Sequence, residues 1–254
     1  MAVESPPTPA TGLYCYGVTA ARDAKPFRRG LGDASVEPVV HEDIAALTSV
    51  VPAGKVRARR RDLMAHVEVL GAAFEHGAVL PLRFGIVFDD EQALVRDFLA
   101  PRHDELAKLL RELANRVELR VTAHYREQEL LAEIVRQNRR IGELREATRN
   151  VKGPHPALIE LGELVSAEMR ARTVRDARAL LGQLEKHSLR YEVGDEPIEY
   201  EVLRGSFLVE RKRVPDFDAA VERFAADQAG RVDVKLVGPL PPHSFVELTH
   251  GGGS

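Results

Sequence analysis

The sequence predicts an α+β protein of two domains. Short β-like runs alternate with long segments of helical period along the whole chain. The 254 residues are enough for two modest cores. The second half reads strand, two long helices, strand, strand, helix, strand, which is the split βαβ, or ferredoxin-like (βαββαβ), order. The expected organisation is a disordered arm over 1–11, an N-terminal mixed α+β domain over 12–116, a C-terminal ferredoxin-like domain over 117–237 with a long antiparallel helical hairpin at 127–187, and an extended Pro-rich tail over 238–254.

Leu13 to Val18 reads as a short aromatic strand, followed by a Gly/Pro/Asp-rich loop from Ala20 to Ser35. Val36 to Val51 holds two further β-like runs around a turn at His41-Glu42-Asp43, and Pro52-Ala53-Gly54 then breaks the chain. Lys55 to His76 is helical by period, with Val56, Leu63, Val67, Leu70 and Phe74 expected on the inward face and Gly77 as its C-cap. The run AVLPLRFGIVF, 78–88, reads as a strand or bent strand pair. Asp89-Asp90 suits an N-cap for a helix over 91–115, which Pro101 should divide in two.

Val117, Leu119, Val121 and Ala123 alternate and face one way, as a first strand of the second domain. The hairpin arms are Glu127 to Arg149, with Leu130, Ile134, Ile141 and Leu144 as its seam, and Pro156 to His187, with Leu158, Leu161, Val165, Ala177, Leu180 and Leu184. At ~1.5 Å per residue each arm is roughly 35 Å or more, so part of it is expected to project as a coiled coil. Strands at 189–193 and 198–210, joined by a turn at 194–197, a helix at 215–229 and a last alternating strand at 231–237 complete the order.

Composition narrows the function classes. Apolar content of 44% with 30% charged residues fits a core and a soluble surface, and a net charge of -3 argues against generic nucleic-acid affinity. The single cysteine, Cys15, excludes a disulfide within the chain and suits a reducing compartment. It lies in an apolar run as a buried thiol. The N-terminus lacks the basic start and apolar core of a secretory leader, no apolar run approaches the ~20 residues of a membrane span, and the closing HGGGS is set aside as a tail. The nine histidines are scattered without metal-ligand spacing, so no metal and no cofactor are expected. No nucleophile elbow and no phosphate-binding glycine loop occur, so no catalytic residue is assigned. An enzyme using Arg83 with Asp89 and Asp90 is the remaining catalytic alternative, although a helix cap explains those acids.

An RNA-binding ferredoxin-like module is the alternative from another class. KVRARRR, 55–61, is densely basic, and RGSFLVE, 204–210, falls where RNA-recognition domains carry a basic-Gly-aromatic-x-aromatic motif. Ser206 stands at the first stacking position and Glu210 would repel phosphate, so the motif is broken.

Pro81 cannot donate to a ladder and suits an edge or bend, and Gly85 permits a conformation other residues resist. Arg83 between them is expected to tie the corner to carbonyls or a carboxylate. VLPLRFG (79–85), preceded by DLMAH (62–66) and LYCYGV near the start, together with VGPLPPHSFVEL (237–248), resembles the gas vesicle protein F/L family (GvpF/GvpL) over about 12–248. The resemblance marks Pro81, Arg83, Phe84 and Gly85 in the first motif and Gly238, Pro239, Leu240, Pro241, Pro242, Ser244 and Phe245 in the second, with His243 where tyrosine is usual. It implies a non-enzymatic, cytoplasmic, vesicle-associated accessory protein of gas vesicle formation. Its implied partners are the hydrophobic main shell protein GvpA and other accessory gas vesicle proteins, with neither nucleic acid nor membrane. It also implies the two-domain architecture read above. The N-terminal domain, around Arg83, is expected to carry much of the partner contact.

Overall fold

The computed structural model describes residues 11–52, 56–194, 198–228, 230–246 and 248. Residues 1–10 of the arm expected over 1–11, Ala53 and Gly54 of the expected breaker, most of the turn at 194–197 and the closing HGGGS lie outside the described residues, whereas Thr11 and Pro52 belong to strands. The chain forms two compact units, Met1–Glu118 with Pro239–Ser254, and Leu119–Gly238.

The first unit is built on β1 (Thr11–Ala20), in which Gly12 to Thr19 are all buried, as expected of a strand covered on both faces. β2 (Glu37–His41) and β3 (Ile44–Pro52) form a hairpin about the expected turn, and β3 pairs antiparallel with β1. On its other side β1 pairs with two short strands, β4 (Val79–Pro81) and β5 (Val87–Phe88). The sheet order is β2-β3-β1-β4, with β5 also on β1. The pairing of β1 with β3 shifts between Cys15 and Gly17, leaving Tyr16 as the extra residue of a bulge.

The helices of this unit correct two expectations. α1 (Arg60–Phe74) buries His66, Val69, Leu70, Ala73 and Phe74, while Leu63 and Val67, expected inside, are 40% and 51% exposed. The buried set follows the i, i+3, i+4, i+7, i+8 stripe, but its first position is a histidine, so counting apolar residues alone selects a neighbouring stripe. Gly77 is not the cap. The helix ends three residues earlier, and a Cβ at Gly77 would meet the Asp23 carboxylate at 2.5 Å. The Asp90 side chain accepts from the Ala93 amide at 2.7 Å and caps α2 (Glu91–Leu94). A π-helical turn at Val95–Leu99 follows, and beyond Pro101 comes α3 (His103–Leu113), so the expected division occurs there.

The second unit carries β6 (Arg116–Tyr125) from Leu119 onward, α4 (Glu127–Gln137), α5 (Arg139–Thr148), α6 (Pro156–Leu184), β7 (Arg190–Val193), β8 (Glu201–Glu210), α7 (Val214–Asp227) and β9 (Val232–Leu240) as far as Gly238. Its sheet order is β7-β8-β6-β9. Val117, Leu119, Val121 and Ala123 are all buried, as the alternation requires. The first hairpin arm is not one helix. Asn138 takes an extended conformation (φ -109°, ψ 103°), and its side chain accepts from the Ile141 amide to start α5. In α6 only Arg172, Asp176, Leu180 and Leu184 are buried, and Leu158, expected in the seam, is 36% exposed. The tail also starts later than expected. Gly238, Pro239 and Leu240 belong to β9, which ends the strand order, where a proline needs no ladder partner on its open side.

Candidate functional site

The two motifs singled out in the sequence meet inside the first unit. β4 ends at Pro81, the chain leaves the sheet through Leu82 to Ile86, and β5 resumes pairing with β1 at Val87. The Leu82 amide donates to the Tyr16 carbonyl at 2.9 Å and the Cys15 amide donates to the Ile86 carbonyl at 3.0 Å, so the excursion is pinned at both ends opposite the β1 bulge. Gly85 sits at φ 98°, a left-handed conformation that favours glycine.

Arg83 does not tie this corner. It is exposed and makes no hydrogen bond or ion pair among the described residues. The tie is Tyr14. Its hydroxyl receives the Gly85 amide at 3.3 Å and lies 2.7 Å from His66 Nδ1. Tyr14, Tyr16, His66 and Phe84 form one aromatic nest: Tyr14 and Tyr16 centroids are 4.8 Å apart, and Phe84 lies 5.8 Å from Tyr14 and 5.7 Å from His66. Tyr16 extends the network, its hydroxyl 3.0 Å from Ser49 Oγ and accepting the Leu31 amide at 2.7 Å. Burial raises the Tyr14 and Tyr16 hydroxyls above the ordinary phenol value and pushes the Cys15 thiol up to about 12, so none of them is poised as a nucleophile.

His66 is where the motifs converge. Burial, and next the nearby His243 imidazole, pull its pKa down to about 4, while a hydrogen bond to the Leu82 backbone works the other way. His243 opens a single 3-10 turn, His243–Phe245, in the closing motif. Around it Pro241, Pro242, Phe245 and Val246 are buried, and Leu248 is 2% exposed. The turn is fastened within the first unit to Glu118: the Ser244 amide donates to Glu118 Oε2 at 2.7 Å and the Ser244 hydroxyl to Oε1 at 2.9 Å. Glu118 is fully buried. Sequence reading missed this carboxylate because it stands on the polar side of a clean alternation, where exposure is the default. Gly238, at φ 146°, and Pro239 lie upstream of this turn in β9.

Asp89 and Asp90 do not form a site with Arg83. Both acids are exposed and Asp90 is spent on the helix cap. Phe207 of the RGSFLVE run is fully buried against Phe217 of α7, at 5.3 Å between centroids, so its ring is not offered to a base. Arg204 lies 3.6 Å from Glu201. No group of residues able to hold a metal ion occurs among the described residues. No helix among them is long and apolar enough to cross a membrane.

The second unit has its own buried polar cluster, also absent from the sequence reading. The Tyr125 hydroxyl donates to Asp176 at 2.7 Å, and Arg231 Nη1 lies 2.8 Å from the same carboxylate. Arg172, 5% exposed, pairs with Glu168 and lies 3.7 Å from Glu133, while its Nη2 donates to Gln137 at 2.8 Å. With Arg175, 3.1 Å from Asp176, the cluster sets three guanidinium groups against three carboxylates and links α4, α6 and the start of β9.

The profile of the family described as "Gas vesicle synthesis protein GvpL/GvpF" matches residues 12–247. A gas vesicle protein F from a Streptomyces species is 35% identical over 92% of this chain and 99% of its own length. A gas vesicle protein F from Dolichospermum flosaquae is 23% identical over 93% of this chain and 98% of its own. The crystal structure of GvpF from an Anabaena species superimposes with a TM-score of 0.82 at 22% identity, covering 94% of this chain and 100% of that one. The corresponding structure from Microcystis aeruginosa gives 0.75 at 23% identity, over 93% of this chain and 99% of that one. These two likenesses show the fold: mixed α and β, with two sheets and helices.

Proposed function

Because this chain belongs to the GvpL/GvpF family of gas vesicle synthesis proteins, we propose that it is a non-catalytic, cytoplasmic accessory protein that binds the main shell protein GvpA and assists its assembly alongside other accessory gas vesicle proteins. Its role lies in gas vesicle formation and its place is with gas vesicle proteins. A subunit that lines a gas-filled wall exposes a large apolar surface before assembly, and such a surface aggregates unless covered. The observation that carries the reading is that α1 turns Leu63, Met64 and Val67 to solvent at 40%, 50% and 51% exposure, an apolar strip at i, i+1 and i+4. That strip lies in the N-terminal domain, the part proposed to make the contact.

The same domain carries the corner at Pro81, Arg83, Phe84 and Gly85, whose free guanidinium and irregular backbone are available to a partner. Gly238, Pro239, Pro241, Pro242 and Phe245 are proposed to serve that surface indirectly, by closing the domain through Ser244 and Glu118. The strand order β7-β8-β6-β9 supports a ferredoxin-like architecture for residues 117–237. The buried Phe207 weighs against the RNA-binding alternative. The test is capture of co-expressed GvpA by the wild-type chain and by Arg83→Ala. The expected result is a several-fold loss in the variant at unchanged thermal stability. Undiminished capture by a folded variant overturns the assignment of the corner.

A further inference from the structure

Between the end of β3 and the start of α1 lies a groove of about 450 Å³. Its apolar lining includes Leu31, Ala34, Val50, Val51 and Val56, and its rim is Arg57, Arg59 and Arg61. Val50 is 61% exposed although it stands on a core strand. The rim is basic beyond what its neighbours neutralise. Arg61 lies 3.3 Å from Asp62, whereas Arg57, Arg59 and the adjacent Arg60 are exposed and make no ion pair among the described residues.

These arginines are also locally unfavourable. Arg59 is the N-cap of α1 and makes no side-chain cap bond, and Arg60 and Arg61 stand ahead of Asp62 in the first turn, where the helix dipole favours acids. A rule broken three residues running, beside an apolar groove, points to a requirement that folding alone does not impose. The exposed residues Leu63, Met64 and Val67 follow on the same helix directly after Asp62, the last lining residue.

We infer that this arginine-rimmed groove and the α1 strip beside it receive an apolar segment of the shell protein that carries carboxylates at its flank. The inference rests on the shell-binding reading above and gives it a location and a chemistry. The apolar floor and the Leu63-Met64-Val67 strip take up the segment's hydrophobic side chains, and Arg57, Arg59 and Arg60 meet its carboxylates by charge-assisted hydrogen bonds. Attraction of this kind sets register and encounter rate, so it weakens with salt.

The experiment is co-purification of GvpA with the full chain, with the triple variant Arg57→Glu/Arg59→Glu/Arg60→Glu, with Met64→Asp, and with a charge control, Arg170→Glu/Arg178→Glu, on exposed positions of α6. Acids at a helix start are favourable, so the triple variant should melt no lower than wild type, which separates loss of binding from loss of fold. The expected result is at least a five-fold loss of captured shell protein in the triple variant and in Met64→Asp, no loss in the control, and wild-type capture that falls as salt rises. Equal capture by all variants overturns the groove and leaves the shell-binding reading standing. No capture by the wild-type chain overturns both. If deletion of residues 2–10 raises capture and abolishes the effect of the charge reversals, the occupant is the chain's own N-terminus and the inference is overturned.

Discussion

His66 stands where the two family-marking motifs meet, and its protonation is the most direct probe of that junction. Its folded pKa of about 4 lies below the value of about 6.5 for an unperturbed histidine, so the unfolded chain binds more protons between these limits. The contribution is therefore fully present above about pH 6.5 and is lost as pH falls towards 4, to the extent of about 3 kcal/mol. Thermal melts followed by circular dichroism between pH 7.5 and 5 should show that decline, and His66→Gln should flatten it. An unchanged slope in the variant would assign the acid sensitivity elsewhere. His103 works in the opposite sense, because Asp43 raises its pKa, but it sits at the surface and is screened. A second residue-scale prediction concerns Ser244. Removing its hydroxyl with Ser244→Ala takes one hydrogen bond from the buried Glu118 carboxylate and should cost about 1–3 kcal/mol in urea unfolding. A cost near zero would mean that the backbone amide alone fastens the tail.

At the scale of elements, α1 begins on cations and should gain from correction. Arg59→Asp supplies the missing cap and should stabilise the chain by about 1 kcal/mol, read as a higher melting temperature. A lower melting temperature would show that Arg59 already serves the fold. In the hairpin, Asp176→Ala strips Tyr125 and Arg231 of their shared carboxylate and should cost about 3 kcal/mol or more. A neutral result would mean that water replaces the carboxylate. These elements also show what the sequence makes legible. β6 and the α2 cap were readable because alternation and an Asp before a helix are local signals. The buried face of α1 is not legible from apolar spacing because its inward stripe opens with a histidine held by Tyr14, a partner 52 residues away. Pro81 and Gly85 mark the corner in the sequence, but nothing local reveals that the Tyr14 hydroxyl, and not Arg83, fastens it at Gly85. The break at Asn138 is not legible locally, because an asparagine between two good helical runs reads as a tolerated interior residue.

For the whole molecule, the first unit is assembled from both ends of the sequence, Met1–Glu118 and Pro239–Ser254. Deleting 239–254 removes Phe245, Val246 and Leu248 from the core and both Ser244 bonds from Glu118, so the truncated chain should lose solubility rather than bind more weakly. The motif order was legible because it is a property of the linear chain, whereas the meeting of His66, His243, Ser244 and Glu118 depends on the return of the tail to the first unit. The central claim is that this family member keeps a hydrophobic shell subunit in solution by covering it. The measurement that tests it most directly is the soluble, co-purifying fraction of GvpA when it is expressed with and without this chain. The account predicts that GvpA partitions into the soluble fraction and elutes with the chain when both are present, and aggregates when alone. Aggregation to the same extent in both cases, with nothing co-eluting, would contradict it.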